Sequence, residues 1–193
     1  MDVLTALTAT GVDHGRGVEG EGLLVHRAAL PIPTPAVCLQ CVRCLPELDA
    51  LCIVESAVVL GFVLLSDLRT EAGRRNAAAL RRILDLLDPH SESILETVAR
   101  YHLRRAGYQV ASQVHVPGVG RLDLMVDGIL GIEADGRQYH SGQGEFEEDR
   151  RRWNLLTTRG VPVLRVTHAL LTRRPDHFLA LVRHAVAAHR PRG

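Results

Sequence analysis

Apolar and polar positions follow two different periods along the second half of the chain. Helical spacing runs from Ser91 to Ala106, where Gly107 follows as a candidate C-terminal cap. Strand-like alternation comes next, in runs separated by Pro117-Gly118 and Asp127-Gly128 turns. The predicted elements are residues 91–106, 108–116, 121–126, 130–135, 145–159, 161–167 and 176–188. Their order, αβββαβα, predicts an α/β domain.

The first half has a weaker pattern, and the change near residue 89 predicts two parts, residues 1–88 and 89–193. Residues 1–20 are rich in glycine and show no period, residues 23–30 fit a strand, and the prolines of residues 30–37 favour an extended linker. Apolar spacing turns helical over residues 37–87. We therefore expect a small, mainly helical N-terminal region, to which the sequence assigns no role.

Four cysteines lie close together in this region. Cys38, Cys41 and Cys44 form Cys-x-x-Cys-x-x-Cys and Cys52 follows, a set that could bind zinc or an iron–sulfur cluster. On a helix the same spacing adds to an apolar stripe, where free cysteine packs as a small hydrophobic residue. Because all four lie in one segment, reduced thiols are favoured over a disulfide framework. We expect core packing and no structural metal.

The charge and hydropathy of the 193-residue chain limit the kinds of chemistry and the cellular location that we expect of the protein. All 23 basic residues are arginine, so chemistry that needs a lysine is excluded. The net charge is only +1, but 15 of the arginines come after residue 88. The longest apolar stretch, residues 57–65, is too short to span a bilayer, and the N-terminus lacks an export signal. We expect a cytoplasmic protein with no membrane partner; the oligomeric state stays open.

Acidic residues lie opposite the apolar positions of two predicted strands. Asp123 lies between Leu122 and Leu124, while Glu133 and Asp135 flank an alanine in the next strand. A three-residue connection would pair Asp123 with Glu133, whereas a two-residue connection would turn Glu133 to the other face. Clustered carboxylates repel one another unless a divalent cation neutralises them, so removing one acid should not destabilise the metal-free protein. Alternatively, these acids form only the solvated face of an edge hairpin.

Several segments together resemble a known family. They are RLDL at 121–124, GIEADGRQYH at 131–140, DRRR at 149–152 and VLRVT at 163–167. Across residues 91–188 the chain resembles the very-short-patch-repair-like (Vsr-like) endonucleases of the PD-(D/E)XK superfamily. The resemblance implies an αβββαβ restriction-endonuclease-like core and a DNA endonuclease that uses Mg²⁺, with Mn²⁺ as the alternative ion, in repair or defence. Residues 1–88 more faintly resemble the helical region of AbiEi-type antitoxins.

The resemblance also implies roles for individual residues. Asp123 and Glu133 match the metal-binding acids, with the Ala134 carbonyl as a further ligand. Asp135 stands where the superfamily has lysine, which leaves the general base unassigned; Asp135, His140 and Glu96 are the candidates for orienting the attacking water.

The remaining assignments concern charged partners and phosphate contacts. Arg150 and Arg152 are expected to contact DNA; Arg100, Arg104, Arg105 and Arg151 are further candidates for phosphate contacts. Other interpretations stay open: Glu96 could be a surface partner of Arg100, and Arg152 could form a structural salt bridge with Asp149. The alternative function is a catalytically inactive, nuclease-like DNA-binding or antitoxin-type regulatory protein.

Overall fold

The computed structural model describes residues 33–74, 77–135 and 143–190, without the side chains of residues 135, 143–146, 148 and 149. The internal contacts divide the chain into two compact units, Met1–Pro89 and His90–Gly193. The expectations for residues 1–30 lie outside the described residues. No helix within the described ranges is both long enough and apolar enough to cross a bilayer.

The described part of the first unit is helical, as the apolar spacing predicts. Its helices are α1 (Thr34–Cys44), α2 (Glu47–Val59), α3 (Leu65–Ala72) and α4 (Ala78–Leu86). Helix α4 contacts the other three. The expected extended linker ends earlier than predicted, because Pro33 is the N-cap of α1 and Pro35 lies in its first turn. Proline is tolerated there because first-turn N–H groups have no partner within the helix.

The cysteines of the first unit are part of this helical packing. Cys38 and Cys41 are buried on α1, while Cys44 and Cys52 are partly exposed. Burial, reinforced by the neighbouring thiol, raises the pKa of Cys38 to about 11 and also raises the pKa of Cys41. Both thiols therefore stay protonated near neutral pH and pack as small hydrophobic groups. That the cysteines bind no metal stays a prediction.

The second unit has the predicted order of helices and strands with one extra helix. Its elements are α5 (Ile94–Arg105), β1 (Val110–Val116), β2 (Gly120–Val126), β3 (Leu130–Asp135), α6 (Gln143–Thr158), β4 (Val163–Thr167), α7 (His168–Arg173) and α8 (Pro175–His189). The short helix α7 was not predicted. It begins directly after β4, where the Thr167 hydroxyl accepts a hydrogen bond from the Leu170 N–H.

The strands form one mixed sheet in the order β1-β2-β3-β4. Strands β1, β2 and β3 are joined by hairpins and pair antiparallel, whereas β3 and β4 pair parallel. A parallel pair needs a crossover connection, and α6 lies in that connection. Leu122, Leu124 and Val126 are fully buried, as the alternation predicts.

Helix α5 packs on β1, β2 and β3, and this packing holds the first turn of the helix near the sheet. The Ser93 hydroxyl accepts a hydrogen bond from the Glu96 N–H and so caps the helix. At the other end, Gly107 has a φ of 89°, and the Tyr108 N–H donates to the Leu103 carbonyl. This is the Schellman cap expected of a helix that ends in glycine. Both ends of α5 are therefore set by local sequence.

Candidate active site

The two acids predicted to bind metal lie opposite each other on neighbouring strands. The β2–β3 register pairs Leu124 with Ile132, and one further residue along brings Asp123 opposite Glu133. The Asp123 Oδ2 accepts a hydrogen bond of 2.8 Å from the Ala134 N–H, so the carboxylate occupies a position in the strand ladder.

This register follows from the connection between the strands. Val126 pairs with Leu130, which leaves residues 127–129 as the connection. Asp127 and Gly128 both have positive φ, 50° and 69°, and the Ile129 N–H donates to the Val126 carbonyl. An Asp-Gly pair adopts this conformation readily. Of the two connections considered from the sequence, the structure has the three-residue one.

Glu96 reaches the same region from the first turn of α5. Its side chain is buried, and its Oε2 accepts hydrogen bonds from the Glu92 N–H at 3.0 Å and from the Gln113 Nε2 at 2.7 Å. Burial raises the pKa of Glu96; hydrogen bonds from Glu92 and Ser93 oppose this shift, and the negative charge of Asp123 adds to it. Glu96 and Asp123 are therefore close enough to repel each other.

The alternative interpretation of Glu96, an exposed partner of Arg100, is wrong. Glu96 is 4% exposed and Arg100 is 1% exposed, so neither side chain belongs to a solvated helix face. The same burial excludes Arg100 as a surface contact for phosphate. The sequence suggests exposure because both residues are charged, but their positions on α5 face inward.

Gln113 is a polar residue of this site that the sequence analysis missed. It lies in β1 between Ser112, which pairs with Leu124, and Val114, which pairs with Leu122, so it stands opposite Asp123. Its φ is 54°, a left-handed conformation in the middle of a strand. Aligning the two predicted strands on either side of the Pro117-Gly118 turn would have placed Gln113 beside Asp123. The alternation of apolar and polar residues in the sequence does not distinguish this glutamine from any other polar residue of a strand.

Glu133 is held by arginines from two elements. Its Oε1 is 2.7 Å from the Arg152 Nη2 of α6, and its Oε2 is 4.0 Å from the Arg165 Nε of β4. Arg165 is the direct neighbour of Glu133 in the parallel β3–β4 register, and its guanidinium lies 5.3 Å from the ring centre of Trp153. Two guanidinium groups therefore flank the Glu133 carboxylate, with Arg152 in the closer contact.

The residues predicted to contact nucleic acid differ in their surroundings. Arg152 also donates a hydrogen bond to the Arg121 carbonyl, so its guanidinium is engaged within the protein. Its ion-pair partner is Glu133, and the side chain of the alternative partner, Asp149, is not described. Arg150 is exposed on α6.

The remaining predicted site residues are Asp135 and His140. Asp135 ends β3 and pairs with Thr167 of β4, but its side chain is not described. His140 lies outside the described residues. Among the side chains that the structure describes, no group of three His, Cys, Asp or Glu residues is arranged to hold a metal ion. The described site thus consists of Asp123 opposite Glu133, with Glu96 and Gln113 beside Asp123 and Arg152 on Glu133.

Comparison with protein families gives one match. Residues 96–186 match the model of REase_MTES_1575, a restriction-endonuclease-like family. Neither the curated proteins nor the solved structures contain a significant match. The match covers slightly less than half of the chain and contains the described site. The four-stranded mixed sheet with its helices is the restriction-endonuclease-like fold that the sequence predicted, preceded by a helical region. The similarity indicates a nuclease; the Vsr-like and AbiEi-type resemblances stay predictions.

Proposed function

We propose that this protein is a Mg²⁺-dependent endonuclease that hydrolyses phosphodiester bonds of DNA, in repair or defence. The observation that carries the proposal is the position of Asp123 opposite Glu133 on an antiparallel hairpin, within the segment similar to restriction endonucleases. Burial raises the pKa of Glu96, and Glu96 lies close enough to Asp123 for the charge of that acid to add to the shift. Two strands and one helix thus bring three acids into one region.

The donor atoms of this site are of the kind that a hard divalent cation prefers, although the described side chains do not form a group of three metal-binding residues. Asp123, Glu133 and the Ala134 carbonyl would supply oxygen ligands, which Mg²⁺ and Mn²⁺ prefer. A cation beside Asp123 would also offset the charge of this carboxylate, which adds to the larger effect of burial in raising the pKa of Glu96. When bound, the ion lowers the pKa of a water and neutralises charge on the phosphate.

The chain's own residues would divide the remaining work. The chain has no lysine, and the residues that could orient the attacking water instead are Glu96, Asp135 and His140. Arg150 is exposed and can contact a DNA phosphate. Arg152 would contact phosphate only after leaving Glu133, because its guanidinium is engaged there.

One observation favours the alternative function, a catalytically inactive, nuclease-like DNA-binding or antitoxin-type protein. The Glu133 carboxylate is neutralised by Arg152 and faces Arg165, so one of the two metal-binding acids already has cationic partners. A nuclease-like fold that has lost turnover could retain such an ion pair.

The test is cleavage of mismatched, branched, duplex and single-stranded DNA with Mg²⁺, Mn²⁺ or a chelator. We expect metal-dependent cleavage that Asp123→Asn and Glu133→Gln abolish. Asp127→Asn is the matched control, because it makes the same chemical change in the same hairpin and asparagine tolerates its positive φ. Salt-dependent DNA binding without cleavage of any form would support the alternative instead.

A further inference from the structure

The backbone of Gln113 is unusual for its position. Its φ is 54°, although the residue lies inside the continuous strand β1. In the described ranges the other non-glycine residue with positive φ is Asp127, which lies in a turn. A non-glycine residue inside a strand keeps a left-handed backbone conformation only where the surrounding structure holds it there. Such residues concentrate at functional sites.

The side chain of Gln113 links two of the proposed active-site acids. Its Nε2 donates to the Glu96 Oε2 at 2.7 Å, and the β1–β2 register places the residue opposite Asp123. The donor favours one orientation of the Glu96 carboxylate despite the nearby negative charge of Asp123. The Gln113 Oε1 is buried and has no hydrogen-bond partner in the part of the chain that the structure describes.

We infer that Gln113 is a positioning residue of the proposed nuclease site: it fixes the Glu96 carboxylate beside Asp123, so that Glu96 can orient the attacking water. This inference rests on the proposed function and adds a residue to it. A purely structural role, in which the amide only satisfies a buried carboxylate, predicts a different result on mutation. It predicts a loss of stability, whereas positioning predicts a loss of turnover in a stable protein.

Gln113→Gly separates the two roles because it removes the side chain and relieves the backbone, since glycine adopts positive φ readily. The full chain is compared with the variant in cleavage kinetics, in metal-free melting and in DNA binding with a chelator. Misplacing a catalytic group by about 1 Å can lower a rate about a hundredfold, which is the fall in kcat that we expect, with KM unchanged. The melting temperature should be equal or higher, and DNA affinity should be unchanged.

Two further variants complete the design. Gln113→Met keeps the length of the side chain without its donor and should show the same loss of kcat. It therefore tests the inference even if the glycine variant fails to fold. Gln113→Asn tolerates the left-handed backbone but is one methylene shorter, so it should restore little of the rate. His115→Ala, an exposed change on the same strand, should alter none of the measured quantities.

The outcomes distinguish the inference from the proposed function. A parent protein that cuts no DNA overturns both. A parent that cuts, with Gln113→Gly and Gln113→Met cutting within about twofold of its kcat, overturns the role of Gln113 alone. A fall in melting temperature that accompanies a rise in KM with kcat preserved also overturns it, because that result indicates a structural role.

Discussion

Arg152 of α6 and Glu133 of β3 form an ion pair, with 2.7 Å between the Arg152 Nη2 and the Glu133 Oε1. Arg152 also hydrogen-bonds the Arg121 carbonyl, so one guanidinium connects α6 to both β2 and β3. The side chains are 28% and 12% exposed, which shields the pair from much of the solvent. Arg152 therefore balances the charge of an acid that we assign to metal binding.

We expect Arg152→Gln to destabilise the metal-free protein and to matter less when Mg²⁺ is present. Removing one partner of a pair this buried should lower the free energy of unfolding by about 1–2 kcal/mol, between the values for exposed and buried pairs. Bound Mg²⁺ would neutralise Glu133 in place of the arginine. Thermal melting with a chelator and with Mg²⁺ measures both differences.

The exposed neighbour on the same helix provides the control for this prediction. Arg151→Gln removes the same charge and should leave both melting temperatures nearly unchanged. An Arg152→Gln variant that loses the same stability with and without Mg²⁺ would contradict the exchange of arginine for metal.

Asp123→Asn and Glu133→Gln should have the same effect on cleavage but different effects on stability. Each should lower the cleavage rate roughly a hundredfold or more, because each removes an acid that we propose as a metal ligand. Without metal, Asp123→Asn should melt at the parent's temperature or slightly higher, since it relieves repulsion with Glu96. Glu133→Gln should melt lower, because Arg152 loses its ionic partner.

The second half of this prediction differs from what the sequence alone implies. Mutual repulsion among the acids predicts that neither substitution destabilises the metal-free protein, but the Arg152 contact reverses the expectation for Glu133. Melting of the parent and of both variants in a chelator decides between them. Equal melting temperatures for the two acid variants would mean that the ion pair contributes no stability.

The sequence was sufficient to predict the sheet but not its register. The alternation of Leu122, Leu124 and Val126 identified β2, because a half-buried strand has a period of two. Asp127-Gly128 marked the connection, yet this dipeptide fits both a two-residue and a three-residue hairpin. The structure pairs Val126 with Leu130, which makes the connection three residues long. This pairing depends on the packing of the whole sheet.

The surroundings of the site residues were harder to predict than their identities. Motifs indicated Asp123, Glu133 and Glu96 as candidates, and these stay predictions, but the burial of Arg100 and the contact between Arg152 and Glu133 arise from packing between elements distant in sequence. The left-handed backbone of Gln113 has no local signal, because glutamine has no preference for that conformation. Tertiary structure imposes it.

The cysteines should differ in reactivity according to their burial. With a pKa of about 11, Cys38 is ~0.1% thiolate at pH 8, and its burial further limits access to reagents. Cys44 and Cys52 are partly exposed and should react with a thiol reagent before Cys38 and Cys41 under native conditions. Mass spectrometry of timed samples gives the order of modification.

Metal analysis of the same preparation tests the other cysteine prediction. We expect no stoichiometric zinc or iron in protein purified without added metal. A bound metal that is lost in Cys41→Ser and Cys44→Ser would contradict core packing as the role of these residues.

The stability of the metal-free protein should depend on pH through Glu96. Burial raises the pKa of Glu96 above its ordinary value of 4.5. Between 4.5 and the higher folded value, the folded protein retains a proton that the unfolded chain has released, so the free energy of unfolding falls as pH rises. Below this window both states are protonated and no penalty exists. Above it the penalty is complete.

Glu96→Gln removes this titration and should therefore change the pH profile. In the presence of a chelator, the melting temperature of Glu96→Gln minus that of the parent should rise with pH across the window that begins near 4.5, and then stay constant. Glu92→Gln is the control for loss of a negative charge at the same end of α5, since Glu92 is an exposed acid paired with Arg121. A difference for Glu96→Gln that is the same at every pH would contradict the raised pKa, because it would show that Glu96 releases its proton equally in the folded and unfolded states.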